Sequence, residues 1–194
     1  LISGDAGQVQ WNFITTDNIR NMEVVKGASS VLYGSSALNG MINIRSSWPG
    51  QKALTKVTLY TGQYSKASRK TLNWTGNNHY SNGVRVTDLR RSGKHDFVTT
   101  FEYIDDQGYR FGDFDERVHA GLDYRYRIKD NFNFGIRTHL LSTNNGSFLL
   151  WKSYDSAYNA LDDQTTITNG LKFRVDPFMS YKTKKGWQHN IKTR

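Results

Sequence analysis

The segment Arg117-Val118-His119-Ala120-Gly121-Leu122-Asp123-Tyr124-Arg125-Tyr126-Arg127-Ile128 alternates from end to end. Val118, Ala120, Leu122, Tyr124, Tyr126 and Ile128 fall on one side; Arg117, His119, Gly121, Asp123, Arg125 and Arg127 fall on the other. A period of two is the mark of a β-strand whose two faces meet different surroundings. The next segment repeats it, with Phe132, Phe134, Ile136, Thr138 and Leu140 set against Asn133, Gly135, Arg137 and His139. With Lys129-Asp130-Asn131 as the loop, Ile128 meets Phe132, Tyr126 meets Phe134, Tyr124 meets Ile136 and Asp123 meets Arg137. Apolar then faces apolar, and carboxylate faces guanidinium. A slip of one residue would set the two faces against each other.

Working outward, the same alternation appears at Lys56–Thr61, Phe97–Ile104, Leu171–Tyr181 and Asn190–Arg194, with Pro177 suggesting a bulge or interrupted ladder in the third. Val84–Arg91 also reads as a strand, though its faces do not sort. That makes about seven strands, several close to the roughly 9–11 residues a tilted membrane strand needs. Long connections are expected at 65–83, 105–115 and 144–168, and short ones at 91–94, 129–131 and 182–186. This long/short alternation is the habit of antiparallel up-and-down transmembrane barrels, with short periplasmic turns and long extracellular loops. Aromatic residues Tyr124, Tyr126, Phe132, Phe134, Tyr181 and Trp187 cluster near the short turns, as an interfacial girdle would. Seven strands cannot close a barrel, so an open, curved sheet with two exposed edges is expected.

Composition narrows the class. Of the 194 residues, 37% are hydrophobic and 13% aromatic, an aromatic-heavy balance for an ordinary aliphatic core. No run approaches the ~18 apolar residues of a membrane helix. The net charge of +9 raises nucleic-acid binding, but the 26 Lys and Arg residues are scattered rather than gathered into a patch. Basic groups equally suit a polar lumen or anionic lipid. There are no cysteines, which removes disulfides, thiolate metal sites and Cys nucleophiles. Gly-rich phosphate loops and nucleophile elbows are absent, so no enzyme, cofactor or metal centre is expected. The chain opens at Leu1 without a leader pattern and stops within an alternating segment, which reads as an internal piece of a longer protein.

Residues 1–48 have a different grain, mixing short strand and helix signals with small residues, and end at Trp48-Pro49-Gly50. Two domains are therefore expected, 1–48 and 49–194. The stretch Asn21-Met22-Glu23-Val24-Val25-Lys26-Gly27-Ala28-Ser29-Ser30-Val31-Leu32-Tyr33-Gly34-Ser35-Ser36-Ala37-Leu38-Asn39-Gly40-Met41-Ile42-Asn43-Ile44 closely resembles the end of the plug domain of TonB-dependent receptors. The shared pattern is a Glu-Val strand, a basic residue with Gly, a short helix ending in Tyr-Gly, a small-residue turn and a closing Ile-Asn-Ile strand. Ala28 stands where Pro is frequent, and Asn39-Gly40 replaces a common Gly-Gly.

The resemblance implies a small α+β plug followed by the first strands of a barrel in the bacterial outer membrane. It implies import of a scarce ligand (an iron-siderophore, cobalamin or an oligosaccharide) energised through TonB, with a surface lipoprotein as a further partner. It assigns Glu23, Lys26, Tyr33 and Asn43 to plug–barrel contact, and places the carboxylates expected to meet Lys26 beyond Arg194. A passive porin-type channel and a soluble basic β-protein are the alternatives.

Other clusters have plainer readings. His119 and His139 share a face, nearly diagonal across two strands, and read as lumen-lining because no third ligand accompanies them. The acidic runs at 105–106, 113–116 and 162–163 read as solvated loop charge. Phe148, Leu150 and Trp151 form an apolar cluster in an expected outside loop; rim or local packing is the first reading, and ligand contact the second.

Overall fold

The computed structural model describes residues 11–26 and 40–192. Two single 3-10 turns, Trp11–Phe13 and Thr16–Asn18, lead into β1 (Ile19–Lys26), which pairs antiparallel with β2 (Gly40–Ser46). Seven strands follow: β3 (Leu54–Gln63), β4 (Tyr80–Ser92), β5 (His95–Asp106), β6 (Phe114–Lys129), β7 (Phe132–Ser147), β8 (Thr166–Lys182) and β9 (Gln188–Lys192). They form one antiparallel sheet in sequence order, a meander without crossovers. The protein is mainly β, and this sheet is a partial wall of an up-and-down barrel. Connections of residues 64–79, 107–113 and 148–165 lie at one end, and 93–94, 130–131 and 183–187 at the other, so long and short alternate as expected.

The β6–β7 register pairs Tyr126 with Phe134, Tyr124 with Ile136 and Asp123 with Arg137. The turn itself differs from expectation. It is Asp130-Asn131 alone, Lys129 pairs with Phe132, and a register shift falls between Arg127 and Lys129. Ile128 is therefore the extra residue of a bulge rather than the partner of Phe132. A three-residue loop and a two-residue turn with one bulged residue displace the strands equally, which is why the deeper register was legible and the turn was not. Pro177 also departs from expectation: it pairs with Ile136 in an unshifted ladder.

The same pairings sort the faces of β4. Val84 and Val86 align with Tyr103 and Phe101 on one face; Arg85 aligns with Glu102 and Arg91 with Asp96 on the other. Asp88 and Arg90 lie on the otherwise apolar face and Leu89 on the charged one, so the strand gives no clean alternation to read.

Burial is inverted relative to a soluble protein. Asp96, Thr87 and His119 are fully buried, while Leu59 is 74% exposed, Phe173 69%, Phe134 44% and Leu122 41%. The charged face is the covered one. An apolar face left open across seven strands, with ionisable residues beneath the chain, has the polarity of a wall between hydrocarbon and a watery lumen. At the short-turn end, rings on the apolar face meet in sequence across strands: His95 with Tyr126 (5.0 Å), Tyr126 with Phe134 (5.6 Å), Phe97 with Tyr124 (5.3 Å) and Phe132 with Tyr181 (5.8 Å). This is the girdle the sequence suggested. Trp187 lies apart in the turn before β9, largely exposed.

On the covered face, two glycines let rings lie flat. A Cβ on Gly121 would collide with the His139 ring, and one on Gly135 with the Phe178 ring.

If the apolar face meets hydrocarbon, Leu122→Arg is expected to cost about 2–4 kcal/mol of folding free energy in a lipid bilayer. Denaturant titration of the full protein refolding into vesicles measures it. A change within about 0.5 kcal/mol, typical of ordinary surface substitutions, would contradict the assignment of that face.

Candidate functional site

The site is the covered face and what covers it. Three ionic clusters run across the sheet, and the segments flanking β1 and β2 touch each one.

In the first cluster, Asp17 ends the segment before β1 and reaches β3 and β4. Lys56 Nζ donates to its Oδ1 at 2.5 Å and Thr58 Oγ1 to its Oδ2 at 3.1 Å, with Arg85 Nη1 3.7 Å away. Arg85 Nε also donates to Glu102 at 2.5 Å; Arg117 lies 3.9 Å from Glu102 and 3.5 Å from Asp115. Burial opposes ionisation of Asp17, but the bonds from Lys56 and Thr58 and the Arg85 charge outweigh it, holding its carboxyl below the usual range.

The second cluster centres on the buried Asp96. Arg91 Nε (2.7 Å), Arg125 Nη2 (2.5 Å) and Arg127 Nε (3.3 Å) surround it. Its link to the preceding segment is Trp48-Pro49: Arg91 Nη2 donates to the Pro49 carbonyl at 2.7 Å, and the Arg125 guanidinium lies 4.2 Å over the Trp48 ring. Trp48 also packs on Phe178, with ring centres 5.8 Å apart.

The third cluster joins Asp123, His139 and Arg137. His139 Nε2 is 3.1 Å and Arg137 Nε 3.7 Å from the Asp123 carboxylate. His119 Nε2 and His139 Nδ1 are 3.2 Å apart, one donating to the other, and their rings stack. Buried Phe13 closes this cluster, edge-on to His119 at 6.2 Å and beneath Arg174 at 4.9 Å. A cavity of about 140 Å³ remains here, lined by Phe13, Ile14, Asn18, Arg137 and His139 among others. Its mixed lining suits water better than an apolar guest.

Of the residues named from the resemblance, Glu23 and Asn43 stand opposite each other in β1 and β2 and bond directly, Asn43 Nδ2 to Glu23 Oε2 at 3.3 Å, with Arg45 3.8 Å from Glu23. Lys26 is exposed at the end of β1, opposite Gly40. Tyr33 lies outside the described residues. The sequence reading missed Phe13, Asp17 and Pro49. Their contacts span dozens of residues and carry no local periodic signal; Trp48-Pro49-Gly50 is legible as a turn, but its docking role is not.

At the long-loop end, Trp74 Nε1 donates to the Tyr109 carbonyl at 2.9 Å, Arg69 lies 4.3 Å over Tyr154, and Arg110 lies 4.4 Å over Phe148. The three loops brace one another. Phe148 is buried beneath Arg110, whereas Leu149, Leu150, Trp151 and Tyr154 project outward.

A sheet of inverted polarity, its charged face stoppered by the segment that precedes it, defines a plugged barrel wall. Residues 2–41, ahead of the wall strands, match the family model described as the TonB-dependent Receptor Plug Domain. No curated protein and no solved structure matches the chain.

Asp17→Asn is expected to weaken attachment of the 11–18 segment by about 1–2 kcal/mol, as loss of charge-assisted bonds to a partly exposed lysine implies. Hydrogen exchange of the amides of 11–26 reads this as faster opening. Because the folded carboxyl titrates below its free value, the stabilisation is complete above the unfolded value and disappears as pH falls through the lowered one. Wild-type attachment should loosen only below about pH 4, and the Asn variant should show no such acid step.

Proposed function

We propose that this chain is the end of the plug (1–48) and the first wall strands (49–194) of an outer-membrane receptor that imports a scarce ligand by energy delivered through TonB. Proteins carrying this plug are transporters, not enzymes. The observation that carries the reading is the pairing of an outward apolar face with a charged inner face held against a plug segment. A passive porin would need that lumen open.

The candidate cargoes are iron-siderophores, cobalamin and oligosaccharides. The partners are the TonB energy-transducing complex, outer-membrane lipid and a surface lipoprotein. Glu23, Lys26, Tyr33 and Asn43 are proposed to contact the wall of the complete barrel. Leu150 and Trp151 are proposed ligand contacts on the longest loop, with Phe148 setting the base from which they project.

The full-length protein should fractionate with the outer membrane and require detergent for extraction. A strain expressing it should take up one of the three ligand classes only when TonB is present. Equal uptake without TonB would make it a passive channel, and recovery as a soluble monomer would end the membrane reading.

A further inference from the structure

Charge is unevenly placed along the strand axis. The three short connections and the residues that flank them carry Lys94, Lys129, Lys182, Lys184 and Lys185 against one carboxylate, Asp130. All five lysines are exposed, and none is ion-paired among the described residues; Lys94 Nζ reaches only the Ile128 carbonyl, at 3.3 Å. The long-loop end differs. Its charges are of both signs and meet one another, as in Arg69–Asp155 and Arg110–Asp113. The lysines also lie just past the ring series His95, Tyr126, Phe134, Phe132 and Tyr181. Aromatic girdles settle at headgroup depth, so the next groups along the strands stand among headgroups or just beyond them. A set of unpaired ammonium groups at that depth attracts phosphate-bearing anionic lipid.

We propose that the short-turn end is a lysine collar that gathers anionic phospholipid headgroups from the leaflet on its own side of the membrane. The proposal rests on the barrel reading, because only that reading brings lipid to this end. The geometry divides the work: rings fix the depth, and lysines on three successive turns choose the headgroup. Five lysines over three turns form an arc, so one sheet offers several headgroup positions instead of a single pocket.

The test uses the full-length protein reconstituted in phosphatidylcholine bilayers containing spin-labelled phosphatidylglycerol or spin-labelled phosphatidylcholine. The motionally restricted fraction of each label is measured by electron spin resonance. Wild type is expected to favour phosphatidylglycerol about threefold, a preference lost in 1 M salt. Replacing all five lysines by glutamine should bring the ratio to about one, while K66Q/K70Q/K152Q at the opposite end should leave it unchanged. Equal restriction of both lipids by wild type overturns the proposal and leaves an acidic protein partner as the alternative occupant. Retention of the preference by the five-site variant, or its loss in the three-site control, also overturns it. If neither lipid shows a restricted fraction, the barrel reading itself has failed, a result distinct from loss of selectivity.

Discussion

The fold depends on keeping charges that leave bulk water within reach of opposite charges. A strand in hydrocarbon must pair its backbone with neighbours and turn apolar side chains outward, which commits every second residue to the inner face. Those positions hold Arg85, Glu102, Asp96, Arg125, Asp123, Arg137 and His139. An unpaired buried charge costs several kcal/mol, so the register acceptable to the outer face must also be one that pairs the inner face. Asp96 shows how tightly the two demands are joined. It is fully buried and met by three arginines from two neighbouring strands. A slip of one residue between β5 and β6 would place Arg125 and Arg127 in lipid and leave that carboxylate beside Tyr124 or Tyr126.

This coupling also explains what the sequence reveals. The strands β5 to β8 are legible because each face is chemically uniform, and the Asp123–Arg137 pair follows once the apolar rows are aligned. β4 is not legible alone, since Asp88 and Arg90 sit among its outward residues and Leu89 among its inward ones. Its neighbours assign it. The bulge at Ile128 is hidden because an extra strand residue and an extra loop residue give the same downstream register. The plug contacts are hidden for a different reason: Asp17 meets Thr58 across 41 residues, and Phe13 meets His119 across more than a hundred. No local periodicity records such contacts, and only the tertiary arrangement of the wall makes them.

The two ends of the sheet solve different problems. Short turns leave little chain to order, so that end is defined by strand geometry and carries its lysines outward. The long connections would be costly to order singly, since each fixed residue gives up about 1–2 kcal/mol of conformational freedom. Here they hold each other through Trp74 to Tyr109, Arg69 to Tyr154 and Arg110 to Phe148. Arginine over aromatic rings serves this well: the guanidinium stays partly hydrated while its plane packs. The consequence is a braced rim from which Leu150 and Trp151 project, and a ligand meeting that rim would find its shape already set.

The character of the plug–wall contact follows from the same inventory. A stopper seated by hydrophobic burial would expose apolar area on leaving, at about 25 cal/mol for each Å², and would leave a lumen lined with groups that water does not favour. This one is seated by Asp17 on Lys56, Thr58 and Arg85, and by Phe13 between His119 and Arg174, so polar contacts share the work with one buried ring. Asp17, Lys56 and Arg85 are readily solvated once parted. The wall clusters also remain paired without the plug, because Arg85 keeps Glu102 and Asp96 keeps its arginines. Removing the segment would part half-exposed Lys56 from Asp17 and leave the buried wall charges paired. An interface of this kind holds through several moderate contacts and can part without unpairing the Glu102 and Asp96 clusters of the wall.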